Sequence, residues 1–299
     1  MILSTSTNIF FERRFEEFVP MEKCLEMCEK SGYKYLDFGF AELALVSERF
    51  KGEQWKDELN EYKTIAEKAG ISFVQAHATI FDFCNPGADY EEKKRLFERS
   101  ITVAKLLGAS WIVVHPSTKI RNGKIAPETH EENVEFFRKY ADFAKKEGIG
   151  LAIENMWGEK MAGVPHYAVK PEEVLRLIED IQCDNVKVCW DVEHGSIEKI
   201  NQTEALHMLK NHIVTTHISD EAGVNQIHIL PYFGNIDWEK LLKAFADIGY
   251  NGIFNFEIQH YLPGVPKELI LPAMEFSRKV GAYLVKSLEE MKTSKKEMQ

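Results

Sequence analysis

An aspartate and a histidine stand three residues apart in VKVCWDVEHG, Val186 to Gly195, where a strand should run out. Val186, Val188 and Trp190 alternate with Lys187 and Cys189, the two-residue period of a β-strand, and no helical stripe fits. Asp191 and His194 follow at its tip, and Gly195 permits a turn. A carboxylate and an imidazole leaving a buried strand suit a divalent metal or a polar ligand. Equally, Asp191 can cap a following helix and His194 can be a turn residue. The pattern recurs along the chain. His77, His115, Glu154, His217 and Glu257 sit near the ends of ISFVQAHAT, SWIVVHP, GLAIENMW, IVTTHISD and GIFNFEIQ. Any one of these is commonly a rim residue or a helix cap. Together, seven imidazoles and carboxylates at the same end of six successive strands point to a metal site, because divalent cations require such mixed sets.

These side chains can meet only if the fold gathers strand ends onto one face. Strands are expected at Ile2 to Ile9, Tyr33 to Phe40, Ile71 to Thr79, Ser110 to Pro116, Gly150 to Trp157, from Val186, Ile213 to Asp220 and Gly252 to Gln259. Helices are expected from Pro20 to Lys30, Gln54 to Lys68, Asp89 to Leu107, Pro127 to Gly148, from Pro171, Thr203 to Lys210, Asp237 to Ile248 and Lys267 to Met291. Proline openings and glycine stops punctuate them, and a long loop follows the second strand. Strand starts recur about every 27 to 40 residues, the size of a βαβ unit. Near-continuous apolar runs such as WIVV and IFNF suit a parallel sheet buried on both faces. With no linker or break in composition, the chain reads as one α/β domain over residues 1–299, a (β/α)8 TIM barrel, with 292–299 a polar tail expected to fray. A doubly wound sheet is the competitor; eight uninterrupted units with polar residues at one end of nearly every strand favour closure.

Composition narrows the function. The 299 residues are 44% hydrophobic and 28% charged, enough for a large core and a soluble surface. A net charge of −10 argues against a protein that grips nucleic acid by neutralising phosphates. Five cysteines, an odd number without zinc-ribbon spacing, read as reduced thiols of a cytoplasmic protein. MILSTSTNIFFERR has no basic stretch ahead of an apolar run, so no signal peptide is expected, and no apolar run is long enough to span a membrane. There is no phosphate-cradling glycine loop, nucleophile elbow or dinucleotide fingerprint.

The motifs AIENMW, WDVEHG, HISD and HILPYFGNIDW (His228 to Trp238) resemble the xylose isomerase-like TIM barrels, and the resemblance covers nearly the whole chain. That superfamily holds sugar isomerases and epimerases, inosose dehydratase and the endonuclease IV type of apurinic-site nuclease. The resemblance implies a metal site of Glu154, Asp191, His217 and Glu257. Tyr232 and Phe233 interrupt the glycine pattern of the sugar-isomerase loop, leaving Gly234. The nuclease branch uses further ligands, and His77, His115, His194 and His228 occupy their places, but Gln226 stands where that branch has an aspartate. This departure and the acidic charge favour one metal, with the histidines left to bind substrate oxygens.

The implied activity is a divalent-metal-dependent aldose–ketose isomerase or ketose epimerase for a small sugar or sugar phosphate, working through a metal-bound enediolate. Glu154 and Glu257 would remove and return the proton, and His194 would polarise a substrate oxygen. Three carboxylates and one histidine make a hard site, so Mn²⁺ or Mg²⁺ leads, with Co²⁺ and Zn²⁺ as alternatives. The competing activities are an inosose-dehydratase-type lyase and the apurinic-site nuclease. Homo-oligomerisation stays open.

Outside the strand tips, Lys119 and Arg121 either meet a substrate phosphate or form an ion-paired loop. Trp157, with Phe81 and Phe83, either walls a sugar ring or packs the rim. Glu193 is expected to face solvent.

Overall fold

The computed structural model describes residues 1–10 and 19–297. Eight parallel strands close a barrel: β1 (Ile2–Ser6), β2 (Tyr35–Gly39), β3 (Ser72–His77), β4 (Trp111–Val114), β5 (Gly150–Glu154), β6 (Val186–Asp191), β7 (Ile213–Ile218) and β8 (Ile253–Phe256). Each pairs with its sequence neighbours, and β1 completes the ring by pairing with both β2 and β8. Helices stand between successive strands, as a TIM barrel requires. No helix among the described residues is long and apolar enough to cross a membrane.

Punctuation explains the helix ends. Helices Tyr90–Leu107 and Thr129–Glu147 stop at Gly108 and Gly148, whose left-handed φ of 82° and 77° is strained for any residue with a Cβ. The barrel strands then sort residues by parity. Val188, Trp190, Phe254 and Phe256 belong to the main apolar core and are fully buried. Each such burial contributes about 1.5–3 kcal/mol. The alternate positions turn into the lumen: Gln75, Val113, Ala152, Cys189, Thr215 and Asn255, and two residues further along each strand, His77, His115, Glu154, Asp191, His217 and Glu257.

Several boundaries differ from expectation. The first strand ends at Ser6, and Thr7–Phe10 is a 3-10 turn. The loop expected after the second strand holds two short helices, Phe40–Val46 and Glu48–Lys51, the latter capped by the Ser47 hydroxyl accepting from Phe50 N–H. The final helix starts at Ile270 and runs to Glu297, past the expected end near Met291. Its last turns are tied down: Lys292 pairs with Glu289 at 3.1 Å, and Lys295 donates to the Asp247 carbonyl at 3.0 Å on the preceding helix. Residues 298–299 of the expected tail lie outside the described residues.

Candidate functional site

The carboxyl ends of β5 to β8 bring Glu154, Asp191, His217 and Glu257 together, with one ligand atom of each within 4.8 Å of the others. His217 is at the centre. Its Nδ1 lies 3.0 Å from Glu154 Oε1 and 3.0 Å from Glu257 Oε2, and 3.9 Å from Asp191 Oδ2. Asp191 does two jobs. Its Oδ1 accepts the His194 N–H at 2.8 Å and caps helix Val192–Ile197, so the capping alternative also holds. Its Oδ2 is buried, faces the cluster and has no hydrogen-bond partner among the described residues. An orphaned buried carboxylate oxygen beside two further buried carboxylates is the arrangement a cation resolves, so the four residues fit a divalent metal.

Charge within the cluster is unevenly held. Burial, aided by Glu154 and Glu257 against His194 and His217, pushes the Asp191 carboxyl up to about 6. Burial also works against ionised Glu154 and Glu257, yet His217 beside both, with His115 next to Glu154 and His228 next to Glu257, holds them well below the carboxylate range. Burial likewise opposes a charge on His217, but Cys189, Glu154 and Glu257 around it raise its pKa well above the usual value.

His77, His115 and Glu154 form a second group, continuous with the first through Glu154. His115 Nε2 is 3.0 Å and His77 Nε2 3.5 Å from Glu154 Oε2. His77 Nδ1 donates to the Ala78 carbonyl at 2.9 Å, which fixes its ring. Burial opposes its charge, but the hydrogen bond and charge of Glu154, and then Glu257, raise its pKa to about 9. Its unfolded value is about 6.5, so the bound proton stabilises the folded chelator-treated protein fully below that pH. The contribution is lost as pH rises through about 9. Melting temperatures in chelator should therefore fall more steeply from pH 6.5 to 9 than those of His77→Gln; parallel curves would refute the linkage.

His194 donates Nδ1–H to the Asn155 carbonyl at 2.8 Å, which leaves Nε2 for a ligand, and its ring stands 5.2 Å from Trp157. Half-buried Trp157 also meets His115 and His166, and these three line a cleft of about 300 Å³ with Phe81, Asp82 and Thr118. Phe83 instead stacks on Phe136 at 3.6 Å, so it packs a helix rather than the cleft. His228 lies in the loop after β7 at φ 50°, with Nδ1 4.0 Å from Glu257 Oε2. Lys119 pairs with Glu132 at 2.5 Å and Arg121 pairs with Glu128, so the ion-paired-loop alternative holds. Gly234 remains in the interrupted loop for a steric reason: a Cβ there would lie 2.3 Å from Asp220 Oδ1.

Four residues of this region were not anticipated in their roles. Glu193 is fully buried, not solvent-facing; its Oε2 accepts from the Ser219 hydroxyl and the His228 N–H, and so holds the left-handed loop. Asn155 clamps β6: its Oδ1 accepts Asp191 N–H at 2.7 Å and its Nδ2 donates to the Asp191 carbonyl at 3.0 Å. Asn8 Nδ2 donates to Glu257 Oε1 at 3.2 Å, and Gln75 reaches His217 from below. Position carried the only signal. Asn155 directly follows Glu154, and Gln75 is two residues before His77, on the same face of its strand.

Comparison with known proteins agrees with this architecture. Inosose isomerase of Bacillus velezensis is 23% identical over 274 residues, 87% of this chain and 91% of that protein. The structure of D-psicose 3-epimerase with D-tagatose from Clostridium cellulolyticum H10 superposes with a TM-score of 0.72 at 18% identity, over 95% of this chain and 99% of that one. L-ribulose 3-epimerase superposes with a TM-score of 0.74 at 16% identity, over 100% and 98%. The profile of the xylose isomerase-like TIM barrel family matches residues 25–280. The chain belongs to the xylose isomerase-like TIM barrel family.

Proposed function

We propose that this protein is a divalent-metal-dependent sugar isomerase or epimerase. The observation that carries the reading is the convergence of three buried carboxylates on His217, with Asp191 Oδ2 unpartnered among the described residues. Glu154, Asp191, His217 and Glu257 would hold the cation, Mn²⁺ or Mg²⁺ by the hardness of the set. Bound there, it would supply Lewis acidity to a substrate carbonyl and so acidify the neighbouring C–H. Glu257 and Glu154 flank His217 and are held ionised, the state a base needs. One would take the proton from the carbon and the other would return it. His194 would meet a hydroxyl through Nε2, and Trp157 would cover the sugar ring. His77, His115 and His228 would contact the remaining oxygens.

The epimerases and inosose isomerases among the relatives support this class. An unphosphorylated substrate is favoured, because Lys119 and Arg121 are engaged by Glu132 and Glu128 and no Lys or Arg is among the described residues lining the cleft. The test is a panel of ketoses, aldoses and inososes incubated with metal-loaded protein and followed by NMR. New isomer signals are expected for a free sugar; loss of water from an inosose instead would assign a dehydratase.

A second reading, the apurinic-site nuclease, is favoured by one observation, the His77–His115–Glu154 group that can hold a second ion. The net charge of −10 opposes it. With Zn²⁺ supplied, a duplex carrying one abasic site should stay intact. Efficient nicking at that site would replace the sugar reading.

A further inference from the structure

We infer that Gln75 is a positioning residue that fixes the tautomer of His217 and thereby the affinity of the site for a divalent cation. The inference rests on the metal reading above and goes beyond it to a residue outside the four ligands.

His217 presents Nδ1 to the carboxylates, 3.0 Å from Glu154 and 3.0 Å from Glu257, so Nδ1 is the nitrogen available to a cation. A ligating imidazole nitrogen carries no proton, so in the neutral ring the proton must sit on Nε2. His217 is fully buried, and an Nε2–H without an acceptor there is costly. The side-chain amide of Gln75 is fully buried and faces Nε2 with its nitrogen, 3.2 Å away, while its oxygen accepts from the Thr215 hydroxyl. Gln75 comes from β3 and His217 from β7, on opposite sides of the ring, so the amide spans the lumen. The thiol of Cys189 also stands beside His217, but sulfur is a weak acceptor.

The amide's oxygen and nitrogen exchange places without any other atom moving. With the nitrogen toward His217, the imidazole must accept at Nε2 and carry its proton on Nδ1, which blocks the metal-facing nitrogen. With the oxygen toward His217, Nε2–H donates to it and the Nδ1 lone pair faces Glu154 and Glu257. The other end of the amide meets the Thr215 hydroxyl, which can accept from the turned amide nitrogen in place of donating to its oxygen. Only the arrangement with the oxygen toward His217 serves a cation, so the amide would turn from the orientation seen here as the ion binds and would then hold His217 in that tautomer. Outer-shell partners of metal-bound histidines typically change metal affinity by about 10- to 100-fold.

The experiment compares Mn²⁺ affinity, by calorimetry, of the wild type, Gln75→Leu and Gln75→Glu. Gln75→Leu keeps the volume but removes the acceptor, and should weaken binding by about 10- to 100-fold. Gln75→Glu keeps an acceptor oxygen and should retain most of the affinity. In Mg²⁺-loaded wild type, ¹⁵N-histidine NMR should show the His217 proton on Nε2, a signature that a merely structural residue would not set. If the wild type binds Mn²⁺ and Gln75→Leu binds it equally, this inference falls and the metal reading stands. It also falls if Gln75→Glu loses as much as Gln75→Leu, or if the His217 proton sits on Nδ1, which remains decisive should Gln75→Leu fail to fold. A wild type that binds no divalent cation removes both readings.

Discussion

Adding Mn²⁺ at about 100 times its dissociation constant to chelator-treated protein should raise the melting temperature by about 4 °C, and Asp191→Asn should abolish the rise. The size follows from mass action: a ligand of the folded state alone, at that excess, contributes about 2.7 kcal/mol. The sign follows from the cluster. Without a cation, Asp191, Glu154 and Glu257 crowd one buried space, and the proton on His217 offsets much of their repulsion. A cation held there would take the place of the His217 proton and would give Asp191 Oδ2 the partner it lacks among the described residues. Asp191→Asn is a cleaner probe than Asp191→Ala, because an amide oxygen can still accept the His194 N–H that opens helix Val192–Ile197. Losing that cap costs about 1 kcal/mol, which would blur the reading of Asp191→Ala. The metal-free Asn variant should therefore melt at or above the wild type, with one buried charge fewer. If it shows the full Mn²⁺-dependent rise, or if crystals grown with Mn²⁺ hold no ion near these four side chains, the assignment is wrong.

The barrel was legible because its strands must serve two different surroundings. In VKVCWD the outward residues Val186, Val188 and Trp190 meet helices, and the inward residues end in a carboxylate that packing alone would not choose. Glycine after each long helix marked the return to the sheet, as at Gly108 and Gly148. FAELALV was read as loop because its helix starts directly on the last residue of β2 with no side-chain cap to announce it. KTSKK was read as tail because its polarity hides a tertiary tether, Lys295 to Asp247. The same division runs through the site. Glu154, Asp191, His217 and Glu257 stood out by residue type at strand ends. Glu193 and Gln75 did not, since a carboxylate or amide gains its meaning from what it meets across a loop or the lumen: Ser219 and His228 for one, His217 for the other. Sequence spacing carries no record of those contacts.

Glu257→Gln should cut turnover by about 10² to 10⁴-fold, and product formed by the wild type in D₂O should carry deuterium at the reacting carbon. Both expectations come from treating Glu257 and Glu154 as the groups that move a proton. They flank His217 on either side, each 3.0 Å from its Nδ1, and both are held ionised by the imidazoles around them. An ionised carboxylate takes a proton from carbon and, in contact with water, exchanges it before return, so solvent deuterium enters the product. A hydride passed directly between neighbouring carbons would keep the original hydrogen instead. The Gln variant keeps the size of the side chain and an amide oxygen to accept from Asn8 Nδ2, so the lip of the barrel between β1 and β8 stays in place. What it loses is the negative charge, which on the proposed reading would serve both as base and as a cation ligand. Metal content therefore has to be measured beside turnover: a variant that is slow only because it is empty should recover as Mn²⁺ is raised, whereas one lacking its base stays slow at saturation. Deuterium-free product, together with near wild-type turnover by metal-saturated Glu257→Gln, would exclude proton transfer by this carboxylate.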